Sequence, residues 1–167
     1  DINVKSRYNY NEETALNIAV KNNNNEIAKL LLSHPNIDVN SQSKIINEYG
    51  NYENETALII AIKNNNTEII DLLLNLNIIN NGPEEFNDGD TPLNAAVRSD
   101  NIEVLKKLLS HNIDINVKSR YNYNEETALN ITVKNNKNEI SKLLLSHPNI
   151  DVNLQSKIIN EYGNYEN

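Results

Sequence analysis

A chain of 167 residues with 38% hydrophobic and 5% aromatic content has material for one ordinary domain, but it cannot build a core around large rings. Cys, Met and Trp are absent, which excludes disulfides and cysteine-ligated metal. The formal charge of −8 repels a phosphate backbone, so nucleic acid is not an expected partner. Membrane insertion is not expected either, because no apolar run approaches the roughly 20 residues that cross a bilayer.

The chain opens at Asp1 and holds no Met, as expected of a piece of something longer. Its cysteine-free composition is compatible with a cytoplasmic location, which is the expectation. Asn accounts for 36 residues. These are interleaved with regularly spaced apolar positions, which argues against disorder of the whole chain.

Two nested repeats organise the sequence. Asp1–Asn54 recurs as Asp114–Asn167, 113 residues later, with four differences: Ala19/Thr132, Asn24/Lys137, Ala28/Ser141 and Ser41/Leu154. Inside that long period a shorter unit opens at Thr14, Thr56, Thr91 and Thr127, at spacings of 42, 35 and 36. The first unit sets the pattern. Thr14 is suited to cap a helix carrying Leu16 and Ile18-Ala19-Val20 on one face. Asn23 then tolerates a left-handed turn or caps a second helix, in a box-like arrangement with Glu26. That helix runs through Ile27 to Leu30–Leu32. The connection over residues 41–55 reads as an extended hairpin or loop with a short helical piece near Ser43-Lys44-Ile45-Ile46.

The second unit repeats the pattern from Thr56 through Ile60-Ala61-Ile62, Asn65, Glu68 and Leu72–Leu74. The third does so from Thr91 through Ala95-Ala96-Val97, Asp100, Glu103 and Leu108–Leu109. The fourth follows from Thr127 through Ile131-Thr132-Val133, Asn136, Glu139 and Leu143–Leu145. One such pair of short helices buries too few side chains to offset the ordering of its own backbone. Stacking of neighbours is what makes it stable.

These residues resemble the ankyrin repeat family. The closest stretch is Asp88-Gly89-Asp90-Thr91-Pro92-Leu93, and the endings Asp38-Val39-Asn40, Asp114-Ile115-Asn116 and Asp151-Val152-Asn153 also fit. The family's Pro is replaced by Ala15, Ala57 and Ala128. Its His is replaced by Asn17, Asn94 and Asn130, which still form hydrogen bonds, and by Ile59, which does not. The resemblance implies an all-α, ankyrin-type solenoid of about four stacked helix-turn-helix repeats with long hairpin or loop connections. The units fall at about residues 1–40, 41–80, 81–116 and 117–153, and residues 154–167 begin a further connection.

All eight tyrosines lie in the connections: Tyr8, Tyr10, Tyr49, Tyr52, Tyr121, Tyr123, Tyr162 and Tyr165. Phe86 does too. One reading is an aromatic stripe for partner binding, since the family's hairpins project toward its concave surface and Tyr is enriched at interface hot spots. The other is that the rings pack on their own loops. An acid precedes every repeat Thr (Glu13, Glu55, Asp90, Glu126), and a base follows it by seven residues (Lys21, Lys63, Arg98, Lys134). These columns either complement the local helix dipoles or select a partner of matching charge.

His34, His111 and His147 occupy one equivalent place per unit, where the dipole of the second helix accounts for them. No catalytic residue, cofactor or metal is expected, because no nucleophile motif, phosphate loop or zinc-protease helix is present. The expected function is protein–protein recognition. A structural spacer or tether in a long array is the alternative, as is the targeting part of a larger enzyme or effector. Apolar faces on the first and last units raise the expectation of end-to-end self-association.

Overall fold

The structure is a computed structural model that describes residues 1–46, 50, 52–76, 89–121, 124–159 and 165–166. The chain divides into two compact units, Asp1–Asn80 and Asn81–Asn167.

The first unit runs β1 (Lys5–Tyr8), β2 (Asn11–Thr14), α1 (Ala15–Lys21), α2 (Asn25–Leu32), β3 (Ser43–Ile46), β4 (Tyr52–Glu55), α3 (Ala57–Lys63) and α4 (Thr67–Asn75). The second runs α5 (Pro92–Arg98), α6 (Ile102–Leu109), β5 (Lys118–Tyr121), β6 (Asn124–Thr127), α7 (Ala128–Lys134), α8 (Asn138–Leu145), β7 (Ile158–Ile159) and β8 (Tyr165–Glu166).

Each first helix starts where its Thr predicts. Thr14, Thr56, Thr91 and Thr127 have extended backbones, and their side chains accept from the amides of Asn17, Ile59, Asn94 and Asn130. Each such bond satisfies one amide that the helix itself cannot. The turn that follows is left-handed at Asn23, Asn65, Asp100 and Asn136, with φ of 52°, 53°, 55° and 54°. Asn and Asp tolerate this region better than other side-chain-bearing residues. The cap of the second helix lies one residue later than the box-like spacing suggested. Asn24, Asn66 and Asn101 accept from the amides of Ile27, Ile69 and Val104. Lys137 stands at the fourth such position and makes no cap bond.

The helices pack in chain order within each unit: α1 on α2 and α3, α2 on α4, and α5 on α6 and α7. The cores are aliphatic. Leu16, Val20, Ala28, Ile69, Ile70 and Leu74 are buried in the first unit, and Leu93, Val97, Leu105, Leu108, Ile131, Ile140 and Leu144 in the second. Burying one such Leu, Ile or Val stabilises the fold by about 1.5–3 kcal/mol.

Asparagine amides tie one helix pair to the next. Asn66 Nδ2 donates to Asn23 Oδ1 at 3.2 Å and to Asn25 Oδ1 at 2.7 Å, while Asn64 Nδ2 donates to the carbonyls of Val20 and Lys21 at 3.2 Å each. The last two are carbonyls at the C-terminal end of α1, where helix carbonyls lack intrahelical partners. In the second unit a lysine does the same work. Lys137 Nζ donates to Val97 O and to Asp100 Oδ1, both at 2.9 Å.

The fold is not all-α. The connections form antiparallel hairpins, β1–β2, β3–β4, β5–β6 and β7–β8. In the first unit β2 also pairs with β3 at Glu12↔Lys44, giving one four-stranded sheet in the order β1-β2-β3-β4. The helical piece expected at Ser43–Ile46 is strand β3. Four residues ending in two β-branched isoleucines are too few to nucleate a helix, and they alternate between a buried Ser43 and an exposed Lys44, as a strand's two faces do. Pairing with β4 satisfies their amides instead.

Candidate protein-interaction surface

The hairpins are held by the asparagines that stand where the family has His. Asn17 is buried on α1, and its Nδ2 donates to Ser43 Oγ at 2.8 Å, Ser41 O at 3.0 Å and Glu55 O at 3.4 Å. Ser43 and Glu55 are register partners in the β3–β4 hairpin. Asn94 on α5 repeats the arrangement, donating to Ser119 Oγ at 2.7 Å and Glu126 O at 2.9 Å, across the Ser119↔Glu126 pair. Asn130 donates to Leu154 O at 3.4 Å. Helices α1 and α5 thus fix the hairpin that comes after each of them, and α7 holds the chain ahead of β7. Ile59 occupies this position on α3, buried and without a polar group to offer.

One face of the β1–β2, β3–β4 and β5–β6 hairpins carries Glu13, Glu55 and Glu126, and the base column meets these acids there and Asp90 just before α5. Lys21 pairs with Glu13 at 2.8 Å. Lys63 pairs with Glu55 and with Glu53, and both carboxylates are almost fully buried. Arg98 Nε pairs with the buried Asp90 at 3.1 Å and its Nη2 reaches Glu126 at 3.4 Å, while Lys134 pairs with the same Glu126 at 3.0 Å. Breaking such a pair would leave a buried charge uncompensated, which is costly. Every base proposed from sequence therefore holds an acid of the connections.

The opposite sheet face is the exposed one. Strand alternation places Arg7, Glu12, Lys44 and Tyr52 together on it. Arg7 and Glu12 are register partners on β1 and β2, and Glu12 and Lys44 on β2 and β3. Arg7 Nε pairs with Glu12 Oε1 at 3.1 Å, and Lys44 Nζ lies 4.0 Å from the centre of the Tyr52 ring. With Asn9, Tyr10 and Asn11 of the β1–β2 turn, these residues line a pocket of about 370 Å³. Tyr10 is 82% exposed, at φ 67°. Two cations, one anion and two phenols make this a locally positive, partly aromatic patch on an acidic chain.

The structure thus separates the two groups of residues proposed for partner binding. Tyr10 and Tyr52 share the pocket, whereas Lys21 and Lys63 engage acids on the other side of the sheet. Tyr8, Tyr121 and Tyr165 take part in strand pairing through their backbones. Tyr49, Tyr123 and Tyr162, like Phe86, lie outside the described residues. Sequence reasoning did not single out Arg7, Glu12 or Lys44. The signal was the alternation within Lys5–Tyr8, Asn11–Thr14 and Ser43–Ile46, which places them on one face only once the strands pair.

His34 and His147 accept locally from the amides of Asn36 and Asn149, and His111 Nδ1 lies 2.8 Å from Lys107 O. Among the described residues no helix is long and apolar enough to cross a membrane.

Comparison with known families decides the assignment. Residues 42–119 match the ankyrin repeats model as three copies, and residues 11–44 match the single ankyrin repeat. The chain belongs to the ankyrin repeat family. Its ankyrin repeats are thereby matched across α1–α6, and α7–α8 repeat the sequence of α1–α2. No curated protein matches the chain. Ankyrin repeats are in general protein–protein interaction modules and typically non-enzymatic.

Proposed function

We propose that this array is a non-enzymatic recognition module whose exposed hairpin face, around Arg7, Tyr10, Lys44 and Tyr52, docks a carboxylate-bearing segment of a partner protein. The observation that carries this reading is the placement of two cations beside two tyrosines on the exposed face of a chain with net charge −8. A carboxylate gains from Arg and Lys donors here. The phenol rings offer contact area at low entropic cost. The internal repeat supports it further: Arg120, Tyr123, Glu125, Lys157 and Tyr165 repeat the set 113 residues on. In that copy the register Glu125↔Lys157 matches Glu12↔Lys44.

The base columns serve this reading indirectly, by fixing the hairpins from behind. The test is titration of a partner, isolated by affinity capture from the native cell, against the wild type and a variant carrying Lys44→Ala, Tyr52→Ser, Lys157→Ala and Tyr165→Ser. The expected result is at least a tenfold loss of affinity with the helical circular dichroism unchanged. Unchanged affinity would contradict the reading.

A further inference from the structure

We infer that Tyr10 and Tyr52 form an oxidative cross-linking site, at which hydrogen peroxide and a peroxidase join the two rings into a dityrosine that staples the β1–β2 hairpin to β3–β4. No partner protein takes part, so the site is independent of the docking reading.

Composition decides where an oxidant acts on this chain. Thiols and thioethers are the usual targets of mild oxidation. Cys, Met and Trp are all absent, whereas Tyr occurs eight times. The phenols are therefore the side chains that lose an electron most readily.

The fold brings two of them together. The pair Tyr8↔Asn11 closes β1–β2 around a two-residue turn, with φ of 48° at Asn9 and 67° at Tyr10. Such a turn favours glycine at its second position. A tyrosine there holds a left-handed backbone at some cost in stability, which points to a position kept for its side chain. Tyr52 opens β4, and its ring is capped by Lys44 Nζ. Asn11 Oδ1 accepts from Ile46 N at 3.0 Å, and Ile46 is the register partner of Tyr52. The turn and the start of β4 thus share one end of the sheet. Both rings are exposed to a dissolved oxidant, and both line the same pocket.

A bond between them would cross the shortest seam of the sheet. The register joins β2 to β3 at Glu12↔Lys44, against four residue pairs within each hairpin.

The chemistry balances. Each phenol gives up one electron and its hydroxyl proton, leaving a phenoxyl radical. The two radicals couple through ring carbons ortho to oxygen, forming one C–C bond. The proton on each coupled carbon then moves to its oxygen, which restores both phenols. The two electrons and two protons released reduce one hydrogen peroxide to two waters. Holding both rings in one pocket favours coupling within the chain over encounters between chains.

The full chain, in dilute solution, is treated with hydrogen peroxide and a haem peroxidase, and cross-linked peptides from the monomer are mapped by mass spectrometry. The sequence repeats the pair as Tyr123 and Tyr165. That copy apart, the Tyr10–Tyr52 linkage is expected to exceed any other at least tenfold, and its yield to be unchanged on dilution. Urea is expected to abolish the preference. In Tyr52→Phe, cross-links from Tyr10 should fall at least tenfold and not move to a neighbouring ring. The linked monomer should melt at a higher temperature than the untreated chain, because the bond closes a loop in the unfolded state.

A monomer without the Tyr10–Tyr52 linkage would overturn the inference. So would equal yields of that linkage in buffer and in urea, transfer of the Tyr10 cross-links to another ring in Tyr52→Phe, or an unchanged melting temperature.

Discussion

Ser141 Oγ donates to Thr132 Oγ1 at 2.8 Å, and both positions are alanine in the other copy of the repeat. Thr132 is fully buried on α7 and donates in turn to Leu129 O at 2.8 Å. Ala19 and Ala28 are the apolar equivalents, both buried in the first unit. Two of the four differences between the copies are therefore one exchange: a hydroxyl pair for a methyl pair at the same helix–helix contact.

That exchange predicts coupled stabilities. Ser141→Ala alone leaves a buried hydroxyl with an unused acceptor and is expected to cost about 0.5–1.5 kcal/mol. Adding Thr132→Ala restores the alanine pair, so the double variant is expected to lie within about 1 kcal/mol of the wild type. A double-mutant cycle in urea measures this, and purely additive losses would contradict it.

A third difference has a compensation of its own. Lys137 gives up the α8 cap that Asn24 provides to α2, and reaches Asp100 and Val97 O instead. Lys137→Asn is expected to regain a cap worth about 0.5–2 kcal/mol and to lose bonds of similar value, the Asp100 carboxylate being well exposed. The net change should be small. The sensitivity of stability to salt should fall, as urea midpoints in low and high NaCl will show.

The hairpin anchors carry more weight. Asn94→Ala strips two donor bonds from a fully buried site, and the Ser119 hydroxyl behind it is buried as well. A loss of about 1–3 kcal/mol is expected. Asn17→Ala should behave alike. In both, the amides of the downstream hairpin should exchange faster than those of the helices, a pattern that hydrogen exchange resolves.

How much of this was legible in the sequence varies by element. The helices were, because a capping Thr, a Leu two residues on and an apolar triplet mark a helix by local means. The left-handed turns were too, since Asn and Asp stood where Gly stands in the family. The cap was displaced by one because Asn23 and Asn24 are adjacent and chemically alike, and only the backbone angle separates them. The strand at Ser43–Ile46 was misread as a short helical piece, because four residues fit either period and their pairing partners, Tyr52–Glu55, lie beyond the turn. The exposed pocket was missed for the same reason: Arg7, Glu12 and Lys44 become neighbours only through strand pairing.

Acid is expected to weaken the contact between α2 and α4. Lys29 bonds Glu68 at 2.6 Å, and Asn25 Nδ2 also donates to that carboxylate. The Lys29 bond, then the Asn25 bond, holds Glu68 below the usual carboxylate range, and the Glu68 bond, then Glu26, holds Lys29 above its ordinary value. A depressed carboxylate contributes stability above its unfolded pKa and loses it as pH falls through its folded one. A raised lysine contributes stability below its unfolded pKa and loses it as pH rises through its folded one. Glu68→Gln should thus flatten the decline in stability below about pH 4.5. Thermal melts of both proteins from pH 3 to pH 7 check it.

Ile27 is 48% exposed where its copy Ile140 is 1%, and Val133 is 64% exposed where its copy Val20 is fully buried. Such uncovered aliphatics favour end-to-end association. Light scattering over a dilution series is expected to show species above monomer mass, reduced in Ile27→Glu/Val133→Lys. A wild type that stays monomeric throughout would contradict this.

Each helix pair depends on its neighbour for stability. Native-state hydrogen exchange on the isolated piece Asp1–Asn80, compared with residues 1–42 alone, tests that most directly. Protection in α1 is expected throughout the longer piece and absent from the shorter one, where α3, α4 and the β3–β4 anchor for Asn17 are missing. Equal protection of α1 in both would contradict it.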